Sequence, residues 1–305
     1  MEVVIDGRKL SLSNLSKVMY PEAGFTKAQV IDYYTRVSPV LLPHLKGRPL
    51  TLKRYPDGVN GPFFYEKNCP KHRPPWVKTL KIWSRHNDRY MEFCEIADVP
   101  SLVWAANLAD LELHTSLSKG AEMERPTMMV FDLDPGAPAA LLECCQVGLL
   151  LREHLKALGL ESFAKTSGSK GLQVYVPLNT PLKYGSEDGR LGTKDFSRAM
   201  AELLEKQKPE LVVSNMKKTL RVGRVLVDWS QNDEHKTTVC VYSLRAKARP
   251  TVSTPVEWSE VERCLKKKDP GLLTFEAEDV LERMKDRGDL FASVLKLKQK
   301  LPRLQ

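Results

Sequence analysis

Short runs in which apolar and polar residues alternate are interleaved along the chain with stretches in which apolar residues recur every three or four positions. The first period marks strands and the second marks helices. Thr26, followed by Lys27-Ala28-Gln29-Val30-Ile31-Asp32-Tyr33-Tyr34, reads as an N-cap opening an amphipathic helix that ends before Pro43. Residues 101–113 carry helical spacing with Ser101 as cap, and 137–158 have helix composition ending at Gly159. A further helix is predicted over 193–206, and the last fifty residues read as charged helices. Strands are predicted at 50–55, closed by Pro56-Asp57-Gly58, and in a hairpin over 82–96 turning at 85–88. Others fall at 128–134, 172–178, 224–228 and 237–244, while the Pro- and Lys-rich 70–75 reads as a loop. Strands interleaved with helices indicate an α/β class. With no internal repeat and no clear linker, one domain over 1–305, built from two lobes, is expected.

The strand predicted at 128–134 carries the first chemical signal. In Met128-Met129-Val130-Phe131-Asp132-Leu133-Asp134-Pro135-Gly136 two aspartates stand two residues apart, so both lie on one face of a strand that Pro-Gly then stops. Adjacent carboxylates repel unless something positive sits between them, and a hard divalent cation is the usual partner. A solvated strand end with two acids is the alternative. Asp228 closes another β-branched run, Arg224-Val225-Leu226-Val227-Asp228. Between the two, Lys165-Thr166-Ser167-Gly168-Ser169-Lys170-Gly171 forms a small-residue turn that can aim N–H groups, hydroxyls and a lysine at a phosphate. It lacks P-loop spacing, and by itself reads equally as a hairpin turn.

Composition narrows the partners. The 305 residues carry a formal net charge of +9, which favours a polyanion. No apolar run is long enough to span a membrane, and the N-terminus lacks a signal-peptide layout, so a cytoplasmic protein, nucleoid-associated when on DNA, is expected. The cysteines at 69, 94, 144, 145, 240 and 264 form no framework and are expected reduced, with Cys144-Cys145 packed in a helix. Cys69-x-x-His72 has zinc-like spacing, but nothing nearby completes the set.

The segments FDLDPG, TSGSKGLQVYVPL, VDWSQN and YSLRAKARP closely resemble the polymerase domain of bacterial and archaeal ligase D, of the archaeo-eukaryotic primase superfamily. The upstream segments SKVMYP, TKAQVIDYY, GRPLTLKRYPDG, FFYEKN, PPW and LELH follow the same order, so the likeness covers nearly the whole chain. It implies a primase-polymerase fold with central, mostly antiparallel sheets of RNA-recognition-like topology flanked by helices. It also implies a DNA-end-repair polymerase of non-homologous end joining, adding nucleotides, ribonucleotides preferred, to primer 3′-hydroxyls at gapped or broken ends. Asp132, Asp134 and Asp228 would be catalytic and would hold two divalent metal ions, manganese preferred and magnesium admitted.

The same resemblance places Lys53, His114, Ser167, Lys170, Gln231, Arg245 and Lys247 at the nucleoside triphosphate. Gln173 stands where the family has histidine. An amide donates but never carries charge, and a lost charge-assisted contact of ~1.5–3 kcal/mol would weaken triphosphate binding. For DNA, Lys17 and Lys27 match a 5′-phosphate grip, and Phe63 and Phe64 a pair that stacks on template bases. Arg85 and Arg89 match a loop that brings ends together, while Lys217, Lys218, Arg221 and Arg224 match a basic loop near the primer terminus. Ligase, end-processing nuclease and Ku are expected in trans. Two rival readings share these residues: a de novo primase, and an end-binding scaffold whose catalysis Gln173 has weakened.

Overall fold

The helix Lys27–Leu45 opens where the pattern places it, on a reciprocal cap in which Thr26 accepts from the Gln29 N–H and the Gln29 side chain accepts from the Thr26 N–H. It does not stop before Pro43. Pro39 leaves the Thr35 carbonyl without its helical donor, and the Ser38 hydroxyl donates to that carbonyl instead, at 2.8 Å. The computed structural model describes residues 1–84 and 88–302, which fall into two compact units.

The first unit comprises Met1–Ala121, Thr237–Ser253 and Phe275–Asp289. Its main sheet runs in the order Thr238–Val239, Asp110–Thr115, Leu50–Arg54, Arg89–Cys94, Thr79–Ser84, with Phe64–Glu66 also paired to Leu50–Arg54. The helices Lys27–Leu45 and Val99–Asn107 pack on one another, and Ala277–Arg287 packs against the first. Tyr33, Tyr34, Leu41, Leu50 and Leu52 are fully buried here.

The second unit comprises Glu122–Lys236, Thr254–Thr274 and Leu290–Gln305. Its sheet runs Val212–Val213, Val225–Asp228, Met128–Pro135, Leu172–Pro177, Phe163–Thr166, Pro255–Val256. Every pair is antiparallel except the first two strands, so the expected α/β class with mostly antiparallel sheets holds in both units. Met128–Pro135 lies in the middle, with Met129, Val130, Phe131 and Leu133 fully buried. The helix Leu141–Ala157 packs on it at Gly148, which faces Leu172 and Leu133. Two glycines are dictated by close approach. A Cβ on Gly136 would lie 2.0 Å from the Arg221 carbonyl oxygen, and one on Gly171 would lie 2.0 Å from that of Leu133.

Several sequence expectations need correction. Residues 101–113 are not one helix: Asp98 caps Val99–Asn107, Ser101 is its reciprocal partner, and Asp110–Thr115 is a strand. Leu111 and Leu113 fit either period, and sheet partners on both sides decide for the strand. The helix expected from 137 begins at Leu141, and of 237–244 only Thr238–Val239 pairs as a strand. The cysteines are not all reduced. The Cys69 N–H bonds the Glu92 carbonyl, which lays residue 69 beside Arg89–Cys94, and Cys69 and Cys94 form a disulfide with Cα atoms 4.8 Å apart. Cys69 is thereby removed as a metal ligand. Cys144 and Cys145 are buried in their helix as expected.

Candidate active site

Strand register in the second unit lines up chemistry that lies far apart in sequence. Asp132 is the cross-strand partner of Gln173 on one side and of Asp228 on the other, and Gln173 is in turn the partner of Lys165. Directly paired residues point to the same face, so Lys165, Gln173, Asp132 and Asp228 form one row across four strands. Asp134, two residues along, shares that face and is exposed. Burial, then the charges of Asp134 and Asp228, push the Asp132 carboxyl up to about 6, while a hydrogen bond from Gln173 and the charge of Lys165 oppose the rise.

Asp228 is held by its own turn: Oδ1 accepts from the Ser230 N–H and hydroxyl at 2.9 and 2.6 Å, and Oδ2 from Gln231 at 3.0 Å. Among the described residues no three His, Cys, Asp or Glu side chains gather into a ready metal cage. The aspartates instead form a row of like charges along one face. Their oxygens are the right donors for a hard divalent ion, and the repulsion that raises Asp132 is what such an ion relieves, so the donor set fits.

The turn after Phe163–Thr166 is built around Ser167, whose hydroxyl accepts from the N–H groups of Ser169 and Gly171 at 3.2 and 3.0 Å. Gly168 takes a left-handed φ of 64°, and Lys170 is exposed at the tip. Gln173 belongs to the row across the four strands. It is 2% exposed, and its amide is taken up by Lys165 and Asp132. Arg221 donates to the Met216 carbonyl at 2.8 Å and lies 4.0 Å from Asp134, while Arg224 donates to the Pro209 carbonyl at 3.3 Å.

In the first unit the side chains of Lys53, His114 and Arg245 come together on one acid, Glu112. Lys53 Nζ lies 3.1 Å, His114 Nε2 2.9 Å and Arg245 Nε 3.5 Å from Glu112 Oε2. The other oxygen accepts from the Ala246 N–H at 3.0 Å. Burial alone would raise the Glu112 carboxyl, but the bond to His114 and the charges of Arg245 and Lys53 hold it well below the usual carboxylate range. Burial in turn holds His114 below its ordinary value despite Glu112, so the imidazole is neutral at pH 7. Lys247 is exposed two residues beyond Arg245. Lys53 Nζ also sits over the rings of Phe63, Tyr55 and Tyr65, at 4.7, 5.3 and 5.5 Å.

Phe63 and Phe64 are 51% and 43% exposed, too open for core residues. Phe63 stacks on Tyr55, and Arg54 lies over Phe64. Lys17 pairs with Asp57 at 2.7 Å. Lys27 is buried at the helix start, where its Nζ donates to the Ser13 carbonyl at 2.8 Å. Burial, then the charges of Lys17 and Arg54, bring its ammonium down to about 8. Arg89 is exposed at the start of its strand, and Arg85 lies outside the described residues.

Two charged residues escaped the sequence reading. Glu112 sits in the LELH segment and Lys165 two residues before the SGSKG segment, so both were near named positions. Only burial and cross-strand register reveal them.

Comparison with known proteins agrees with this geometry. The family model described as LigD, primase-polymerase domain, matches residues 26–291. The multifunctional non-homologous end joining protein LigD of Mycolicibacterium smegmatis is 38% identical over 286 residues, covering 93% of this chain and 36% of that protein. The bifunctional LigD of Bacillus subtilis is 33% identical over 280 residues, covering 92% of this chain and 43% of that protein. The chain thus spans well under half the length of these relatives. Its structure superposes on the polymerase domain of Mycobacterium tuberculosis ligase D in complex with DNA with a TM-score of 0.85 at 36% identity, covering 95% of this chain and 99% of that one. Among the described residues no helix is long and apolar enough to cross a membrane.

Proposed function

The chain belongs to the LigD primase-polymerase family of DNA-directed nucleotidyltransferases, and on that premise we propose that it fills and extends DNA ends in non-homologous end joining. It adds nucleotides, ribonucleotides preferred, to a primer 3′-hydroxyl opposite a template strand. The observation that carries this reading is the placement of Asp132, Asp134 and Asp228 on one sheet face, with Asp132 and Asp228 directly paired.

Those three carboxylates would hold two divalent ions, manganese preferred over magnesium. The ions would supply activation of the 3′-hydroxyl and charge relief on the departing pyrophosphate. The protein's own part is positioning. Lys53, Arg245 and Lys247 offer charge to the triphosphate, and the neutral His114, its one N–H given to Glu112, lines the nucleotide without adding charge. In the second unit Ser167, Lys170 and Gln231 are assigned to nucleotide binding, and Arg221 and Arg224 to the primer end. Phe63 and Phe64 stack on template bases, and Lys17 and Lys27 take the 5′-phosphate of the downstream strand. Ligase, end-processing nuclease and Ku are the partners this reading requires.

Primer extension with Mn²⁺ on a gapped duplex carrying a 5′-phosphate tests the proposal. Asp132→Ala and Asp228→Ala should each remove extension and leave DNA binding within about twofold, because charge lost at a metal site acts on chemistry first. Retention of more than a few per cent of extension by either variant sinks the assignment. Product formed without a primer would favour the primase reading, and end binding without product the scaffold.

A further inference from the structure

Lys165 is 0% exposed, in the interior of a sheet. A buried ammonium is costly unless its protons are used, and lysine can only donate. Here Nζ donates to Gln173 Oε1 at 2.5 Å, with the ring of Tyr175 5.5 Å away. That bond fixes which way the Gln173 amide points. With its oxygen committed to Lys165, its nitrogen is the atom left to donate to Asp132, the next residue in the row, to which Gln173 is hydrogen-bonded. Gln173 itself is 2% exposed, so neither side chain presents a surface to a ligand.

The geometry points to Lys165 as a positioning residue: acting through the Gln173 amide, it fixes the Asp132 carboxylate in the orientation that catalysis uses. This rests on the reading of Asp132 as a catalytic acid. Lys165 and Gln173 never touch substrate. They act as one device, a donor that sets an amide and an amide that sets a carboxylate. Changing a group behind a metal-binding side chain commonly costs about 10–100-fold in metal affinity or activity. The arrangement also separates two roles for Gln173: a residue bonded to the triphosphate would govern KM, whereas one that orients Asp132 governs kcat.

The test uses the full chain and the variants Lys165→Met, Gln173→Leu and the double variant. In Mn²⁺-dependent primer extension each should lose about tenfold or more in kcat, with nucleotide KM within about twofold of wild type. The double variant should be no worse than either single, since the two residues form one device. It replaces a buried polar pair with apolar side chains of similar size, so its thermal midpoint should match or exceed those of the singles while kcat stays low. A purely structural role would let kcat recover with stability, and recovery to within about twofold of wild type would overturn the inference. So would a nucleotide KM raised about tenfold at unchanged kcat, which would turn Gln173 toward the triphosphate.

A second readout needs neither metal nor turnover. In protein labelled with ¹⁵N-glutamine, the side-chain NH₂ signals of Gln173, identified by their absence in Gln173→Leu, should shift in Lys165→Met. Unmoved signals would refute the amide orientation. Were the wild type unable to extend any primer, the proposed function would fall, yet this spectrum would still decide whether Lys165 sets the amide.

Discussion

Around Glu112 in the first unit, Lys53, His114 and Arg245 close on a single buried acid, whereas in the second unit Asp132 and Asp228 share a row with a single buried base, Lys165. The clusters are opposite in sign but alike in construction, since each holds its surplus of like charge with one opposite charge taken out of water. They differ in how far the repulsion is relieved. Glu112 lies within 3.5 Å of each of its basic neighbours, and its carboxyl is driven well below its usual range. Lys165 gives its hydrogen bond to Gln173 rather than to Asp132, its charge opposes the rise only in part, and Asp132 is pushed up to about 6. The cationic cluster is therefore settled in the free protein, while the acidic row retains strain that a divalent cation would remove. A preorganised anion site and a strained cation site are both expected of a polymerase, which must hold a triphosphate and bind metal.

The sharpest way to break this contrast is to neutralise one acid in each cluster. Asp132→Asn should abolish extension and yet, with chelator present, raise the thermal midpoint. A carboxyl whose pKa is raised on folding costs stability at neutral pH, a cost that fades as pH falls through about 6 and that asparagine removes altogether. Glu112→Gln should do the reverse to the fold. Removing the charge strands Lys53 and Arg245, at a cost of about 3 kcal/mol in unfolding free energy. A carboxyl with a depressed pKa contributes stability above its unfolded value and loses it as pH falls, so wild type and Glu112→Gln should converge in acid. Nucleotide KM should rise in Glu112→Gln as the cations lose their common anchor. Thermal melts that move in the same direction for both variants would show that the clusters are not opposites.

How much of this could be read from the chain depended on where the information lay. Asp132 and Asp134 were legible because a period of two puts them on one face, and Asp228 because it ends a β-branched run. The Thr26 cap and the run past Pro39 were legible, but the continuation through Pro43 to Leu45 was not, because Pro43 reads as a stop. Residues 110–113 misled because Leu111 and Leu113 suit either period. The Lys165–Gln173–Asp132–Asp228 row was hidden because register is a property of paired strands, not of any one of them. Likewise the Cys69–Cys94 bridge depends on a loop lying beside a strand. Glu112 and Lys165 share a cause: a buried charge looks in sequence like any solvated one.

A smaller effect sharpens the comparison within the first unit, where among the described residues Lys27 is a cation without the acid that Lys53 enjoys. Its Nζ meets the Ser13 carbonyl, while the charged groups that act on it, Lys17 and Arg54, are both positive, each paired with an acid of its own, Asp57 and Glu66. Its ammonium is therefore poised near pH 8. A terminal phosphate monoester, carrying about −1.5 to −2 charge at neutral pH, favours the protonated form. Binding below pH 8 finds the charge already present, whereas above it a proton must be taken up with the DNA, which weakens the preference. Wild type should thus favour a gapped duplex with 5′-phosphate over 5′-hydroxyl by several-fold more at pH 7 than at pH 9, measured at fixed salt because these contacts are screened. The phosphate itself only gains negative charge from pH 7 to pH 9, its second pKa being about 6, so its own titration cannot produce the fall in preference. Lys27→Arg should flatten the dependence by keeping the charge, and Lys27→Ala should lose most of the preference at both pH values. A wild-type preference equal at pH 7 and pH 9 would remove Lys27 from the end-recognition site and leave Lys17 to account for it.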